Sequence, residues 1–135
     1  MDSKIIQNLV DSARQAQQNS HSPYSNFKVG AAVLGANDKI YAGCNVENAA
    51  YPLGQCAEAT AIGNMITSGT QSIKAVVIAS PNDAACYPCG GCRQKIAEFA
   101  SDDVPVYMST RSGSLQKVSV GELLPFAFRD SSLAG

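Results

Sequence analysis

The chain has 135 residues, 45% hydrophobic and 16% charged, with a net charge of −1 when its one histidine is neutral. That size suits a single domain over residues 1–135, and the hydrophobic share excludes collagen-like and highly charged disordered classes. The ten Lys and Arg residues are scattered and slightly outnumbered, so no cationic surplus exists to bind a phosphate backbone, and no nucleic-acid partner is expected.

Residues 3–19 place Ile5, Ile6, Leu9, Val10, Ala13 and Ala16 on one stripe and read as an amphipathic helix, with Asp2 or Ser3 as cap. SHSPYSN at 20–26 is a loop. Residues 27–35 read as a strand covered on both faces, and Asn37-Asp38 turns the chain into a returning strand at 39–44. Residues 45–54 form a loop long for a mere connection. A helix at 55–68 ends at Gly69, and IKAVVIA at 73–79 is a buried strand. After a second loop at 81–88 come a helix at 90–99, strands at 104–109 and 115–118, and a helical turn at Val120–Leu124 closed by Pro125. The tail from 129 to 135 reads as loosely held. Five strands, two of them a hairpin, with strand–helix–strand units after it, predict a three-layer α/β/α domain around a mixed sheet. The polar N-terminus is unlike a signal peptide, and no apolar run reaches the ~18 residues of a membrane span. The expected setting is therefore cytoplasmic, with no membrane partner.

Five cysteines stand at 44, 56, 86, 89 and 92. An odd number outside a small secreted scaffold argues against a complete disulfide framework and for metal. Cys89-Gly90-Gly91-Cys92 at a helix start brings two thiols to one side of a first turn, where helix N-terminal amides favour thiolates. Cys56-Ala57-Glu58 opens another helix. Two helical steps turn about 200°, so Cys56 and Glu58 converge only if Cys56 lies in or before the first turn. Three thiolates leave a fourth position on zinc open, as catalytic sites do, and a carboxylate beside it can move protons. The alternatives are a structural zinc closed by Cys86, a redox C-x-x-C, and Glu58 as a capping carboxylate. C-x-E followed by P-C-x-x-C is also the general zinc-deaminase signature.

The chain resembles the small homotetrameric zinc-dependent cytidine deaminases from about residue 5 to 128. The resemblance rests on SPYSNFKVGAA at 22–32, GCNVENAAYP at 43–52, CAE at 56–58, PCGGCRQ at 88–94 and LLPFAF at 123–128. It implies a cytidine deaminase-like fold, Zn²⁺ held by Cys56, Cys89 and Cys92, and Glu58 moving protons between the activated water, N3 of cytosine and the leaving amine. Cytidine and deoxycytidine would become uridine and deoxyuridine, in pyrimidine salvage. It further implies Asn45 and Glu47 on the sugar hydroxyls, Phe27 against the base, the Ala57 amide near O2, Tyr51 in the pocket, and Phe128 closing a neighbouring subunit's site in a homotetramer. Taken alone, Asn45 and Glu47 read rather as turn and capping residues, and Phe27 as core. Blasticidin-type substrates, polynucleotides and a non-enzymatic zinc-stabilised role are the competing functions.

Three positions depart from that pattern. Ala59 stands where many relatives carry an arginine that bonds to the zinc thiolates, so compensation for their charge is expected elsewhere, from helix N-termini or Arg93. Ala59 also suggests extra space near the metal and an alternative range of N4-alkyl or N4-acyl cytidines. Tyr87, bulkier than usual on the leaving-group side, would offset that space, and Phe126 would pack at a subunit contact or narrow the entrance.

Overall fold

The structure is a computed structural model, and residues 1–133 are described. Helix α1 (Ser3–Gln17) starts at Asp2, whose carboxylate accepts the Lys4 N–H at 2.8 Å. Strands β1 (Gly30–Gly35) and β2 (Ile40–Cys44) form the expected hairpin, turned through Asp38 at φ 65°. Helix α2 (Ala57–Thr67), β3 (Ile73–Ala79), α3 (Gly90–Phe99), β4 (Pro105–Ser109), β5 (Leu115–Ser119) and the short α4 (Val120–Leu123) follow. The last is fixed by a reciprocal cap: Glu122 N–H donates to Ser119 Oγ, and Ser119 N–H to the Glu122 carboxylate.

The sheet order is β2-β1-β3-β4-β5, with β3 and β4 parallel and all other pairs antiparallel. Period-two alternation sends the strands' side chains to two separate cores. On one face Ala32, Leu34, Ala75, Val77 and Tyr107 pack under Leu9 and Ala13 of α1. On the other, Ala31, Val33, Val76, Ile78, Val106 and Met108 pack under α2 and α3. This is the three-layer α/β/α architecture with a mixed five-stranded sheet. Two glycines set how close the layers come. A Cβ on Gly30 would lie 1.9 Å from the Ala13 carbonyl, and one on Gly43 2.4 Å from the Ala61 nitrogen. Full burial of Leu9, Met65 or Ile78 contributes about 1.5–3 kcal/mol each.

Three expectations need correction. The strand at 27–35 begins only at Gly30, because residues 27–29 are held by the Asn45 side chain rather than by a ladder. Cys44, which its place in the returning strand leads one to expect buried, is half-buried, at the end of edge strand β2. The tail is anchored at its start: Arg129 donates to the Ala97 and Ala100 carbonyls and pairs with Asp102 at 2.8 Å, and a 3-10 turn follows at Asp130–Leu133. Residues 134–135 of that tail lie outside the described residues. Among the described residues, no helix is long and apolar enough to cross a membrane.

Candidate active site

The site forms where two helices begin on the same face of the sheet. Cys56 is the N-cap of α2 and Cys89 the N-cap of α3, with Cys92 in the first turn of α3. Cys56 therefore sits before the first turn, the condition for converging with Glu58. The ligand sulfurs of Cys56, Cys89 and Cys92 all lie within 4.8 Å of one another, and Cys56 Sγ is 3.7 Å from Cys89 Sγ. A tetrahedral zinc with Zn–S bonds of about 2.3 Å would set its sulfurs about 3.8 Å apart. The donor set fits zinc in both softness and spacing, and three protein donors leave one position open. Cys86 is not a member of this cluster. Neither N-cap sulfur is spent on a capping hydrogen bond. The positive ends of both helices face the thiols.

The thiols of Cys56 and Cys92 titrate together. Donation from Cys92 S–H pulls the Cys56 thiol down to about 6, with burial opposing and Cys89 and Lys95 assisting. The same bond, with burial, pushes Cys92 up. Glu58 is 5% exposed, and its carboxyl is pushed up to about 7, first by burial and then by the charge of Cys56. A carboxyl balanced near neutrality can both take and return a proton.

A cavity of about 430 Å³ opens onto the thiols, lined by Ser25, Phe27, Val29, Asn45, Glu47, Cys56, Ala57, Glu58, Cys86, Tyr87 and Cys89. Of the residues singled out from sequence, Phe27, Asn45, Glu47, Ala57, Glu58 and Tyr87 are thus brought together with the metal ligands Cys56 and Cys89, and Cys92 lies buried behind them. Glu47 accepts the Tyr24 N–H at 3.0 Å, the Ser25 N–H at 3.1 Å and the Ser25 hydroxyl. The Ser25 hydroxyl, chiefly, holds its carboxyl below the ordinary range. Asn45 commits both ends of its amide to the segment bearing Phe27: Nδ2 donates to the Phe27 carbonyl at 2.8 Å, and Oδ1 accepts the Val29 N–H at 3.0 Å. Tyr87 Oη donates to Gln116 Oε1 at 2.7 Å.

Other expected site residues lie outside this cavity. Tyr51 is 74% exposed and packs edge-on to Tyr24, at 5.9 Å between ring centroids. Both line a second hollow of about 340 Å³ that shares Ser25 and Glu47 with the first. Phe126 and Phe128 are exposed, Phe126 with a left-handed φ of 54°. Ala59 is half-buried and off the cavity wall. Arg93 turns away from the sulfurs, onto the Pro88 and Leu123 carbonyls. Sequence reasoning missed Ser25, Val29 and Cys86 as cavity residues. Only Ser25 carried a signal, a hydroxyl two residues before Phe27 in the same loop. Cys86 is half-buried, and burial pushes its thiol up to about 11.

A family model described as "Cytidine and deoxycytidylate deaminase zinc-binding region" matches residues 3–108. The chain belongs to this family. It is 39% identical to a cytidine deaminase of Sporosarcina psychrophila, over 96% of this chain and 95% of that one. It is 40% identical to a probable cytidine deaminase of Dictyostelium discoideum, over 98% and 90%. A crystal structure of cytidine deaminase from Burkholderia pseudomallei superposes with a TM-score of 0.87 at 36% identity, over 95% of this chain and all of that one. Cytidine deaminase from Mycobacterium tuberculosis gives 0.80 at 32%, over 91% and 96%. The three-thiol cluster is thus the zinc centre of a hydrolytic deaminase.

Proposed function

We propose that the protein deaminates free cytidine and deoxycytidine to uridine and deoxyuridine, with Glu58 as its proton carrier. The observation carrying this reading is the buried carboxyl of Glu58 beside three clustered thiols, in one cavity with Phe27, Asn45 and Glu47. Cys56, Cys89 and Cys92 would hold the zinc, which when bound would supply Lewis acidity and lower the pKa of solvent at its open position. Glu58 would take one proton from that water and give it to N3 of the base as the water's oxygen adds to C4, then take the second proton from the added hydroxyl and give it to the amine, which leaves as ammonia when the C4–N4 bond breaks. Phe27 offers its ring to the base. The Ala57 amide, first in α2, has no intrahelical acceptor and is free to donate to O2. Glu47 keeps a lone pair, and Asn45 a second N–H, for the sugar hydroxyls, so a free base with no sugar would leave them unpaired. Ala59 and Tyr87 set how much substitution at N4 is tolerated.

The working form in this reading is a homotetramer, with Tyr51, Phe126 and Phe128 at contacts between subunits and Phe128 closing a neighbour's site. The exposure of these rings in a single chain supports it: 74% for Tyr51, 105% for Phe126 and 57% for Phe128. A cytoplasmic setting fits five free thiols.

The test is ammonia release from a panel of pyrimidine nucleosides, N4-alkyl and N4-acyl cytidines included. Release from cytidine and deoxycytidine should need zinc and collapse in Glu58→Gln. No release from either would reject the reading, and turnover of the unsubstituted substrates alone would reject the wider N4 range.

A further inference from the structure

The zinc centre carries a charge that its own ligands do not balance. Three thiolates and one Zn²⁺ sum to −1, and Glu58 adds to it when ionised. No Lys or Arg lines the cavity, and α2 contains none. The cations on the elements around the thiols are Arg93 and Lys95 of α3 and Arg129 of the tail. Arg93 is committed to the Pro88 and Leu123 carbonyls at 2.8 and 3.0 Å. Arg129 is committed to the far end of α3 and to Asp102.

Lys95 remains. The ion pairs among the described residues join Lys74 to Asp38, Arg111 to Asp83 and Arg129 to Asp102, leaving Lys95 unpaired. It stands three residues after Cys92, on the same side of α3. Helical side chains lean toward the N-terminus of their helix, here the end where Cys89 and Cys92 lie. Lys95 is exposed while Ile96, next in sequence, is buried in the core, so Lys95 lies on the solvent side of Cys92.

We propose that Lys95 is the compensating cation of the zinc–thiolate centre, delivered from α3 to the cluster because α2 offers no positive side chain of its own. It is a positioning residue, acting through the sulfurs. The loaded site is one unit more negative than three neutral thiols, so a nearby cation favours the loaded state. It also draws electron density from sulfur and leaves the metal a stronger Lewis acid.

The experiment is competition for zinc by a chelator, on the full-length holoenzyme, with Lys95→Met and Lys95→Arg beside the wild type at low and high salt. Lys95→Met should hold zinc about tenfold more weakly at low salt. Lys95→Arg should stay near wild type. The Lys95→Met deficit should shrink at about 1 M salt, where the screening length falls to about 3 Å. Zinc retention at the wild-type level in Lys95→Met overturns the proposal. So does a deficit equal in Lys95→Arg, or one independent of salt, since either marks a packing role. The inference rests on the metal site and not on the substrate. Zinc competition and wild-type ammonia release can therefore fail independently.

Discussion

Cys56 and Cys89 cap different helices, 33 residues apart in sequence, and their sulfurs stand 3.7 Å from each other. Nothing local to either helix requires that meeting. It follows from α2 and α3 packing on one face of the sheet with their N-termini at the same end. Both helices are seated by buried residues, among them Ala61, Met65, Ile96 and Ala97, none of which is a member of the cluster.

Metal removal should accordingly abolish activity without unfolding the protein. A metal-free sample prepared by chelation should keep its far-UV spectrum and melt in one transition, lower than the holoenzyme. At zinc 100- to 1,000-fold above its dissociation constant the linkage is about 3–4 kcal/mol, which for this size lowers the midpoint by roughly 10 °C. Calorimetry with and without zinc checks this, and a metal-free chain with no cooperative transition would contradict it.

Glu58→Gln keeps the shape of the buried side chain and removes its proton chemistry. Zinc content should stay stoichiometric, while kcat falls by about 10²–10⁴. In the metal-free protein the substitution should also change the pH dependence of stability. The Glu58 carboxyl has an ordinary pKa of 4.5 and stands at about 7 when folded, so the folded state binds its proton more tightly. That contribution is fully present below pH 4.5 and is lost as pH rises through 7, amounting to about 3 kcal/mol. Urea titrations of both metal-free proteins from pH 4 to 8 should converge or cross accordingly. Parallel curves would show that the carboxyl is not protonated preferentially in the fold.

Much of this was legible in the residues because period and spacing carry it. The apolar stripe of α1, the Asn37-Asp38 turn and the run in β3 announce the layers. The condition that Cys56 precede its helix is met by its place as N-cap. What sequence could not give was which neighbours each side chain chooses. Arg93 follows a metal ligand, yet its guanidinium finds two free carbonyls pointing the other way. Lys95 carried no motif at all, and its relevance comes only from the face of α3 it occupies. Cys86, offered by sequence as a fourth ligand of a structural zinc, stands outside the cluster and forms part of the cavity wall. Periodicity could not separate residues 27–29 from the strand, because it is the amide of Asn45 that holds them.

Asn45→Ala should therefore damage binding and stability together. It removes the acceptor of the Val29 N–H and the donor to the Phe27 carbonyl, and leaves the segment bearing Phe27 unpinned. A loss of about 1–3 kcal/mol is expected from the orphaned backbone groups. KM for cytidine should rise more than kcat falls, because Phe27 and not the metal loses its position. Asn45→Asp should be as harmful, since a carboxylate would then face the Phe27 carbonyl. Denaturation midpoints together with separate kcat and KM values check this. A pure KM effect at unchanged stability would assign Asn45 to the sugar alone.

Arg14 offers the opposite dissociation. From α1 it crosses the ends of the parallel pair β3 and β4, where its guanidinium donates to the Ser80 carbonyl at 2.7 Å, the Ser109 carbonyl at 3.2 Å and the Thr110 carbonyl. These groups lie at and just past the ends of the two strands; the Ser109 carbonyl also accepts the Ser80 N–H at 2.9 Å and the Thr110 carbonyl the Gly113 N–H at 3.0 Å. Partial burial lowers the Arg14 pKa from its ordinary value, but a guanidinium stays charged throughout the working pH range. Arg14→Met keeps the aliphatic stem and deletes every donor, leaving the Ser80 carbonyl without its partner while the Ser109 and Thr110 carbonyls each keep one backbone N–H. It should cost about 1–3 kcal/mol, while Arg14→Lys recovers only part, a single ammonium being unable to span three acceptors. Because α1 lies on the face of the sheet opposite the zinc centre, zinc content and kcat of the folded variant should match wild type. A loss of metal in Arg14→Met at temperatures where the protein remains folded would show that the two faces of the sheet are coupled.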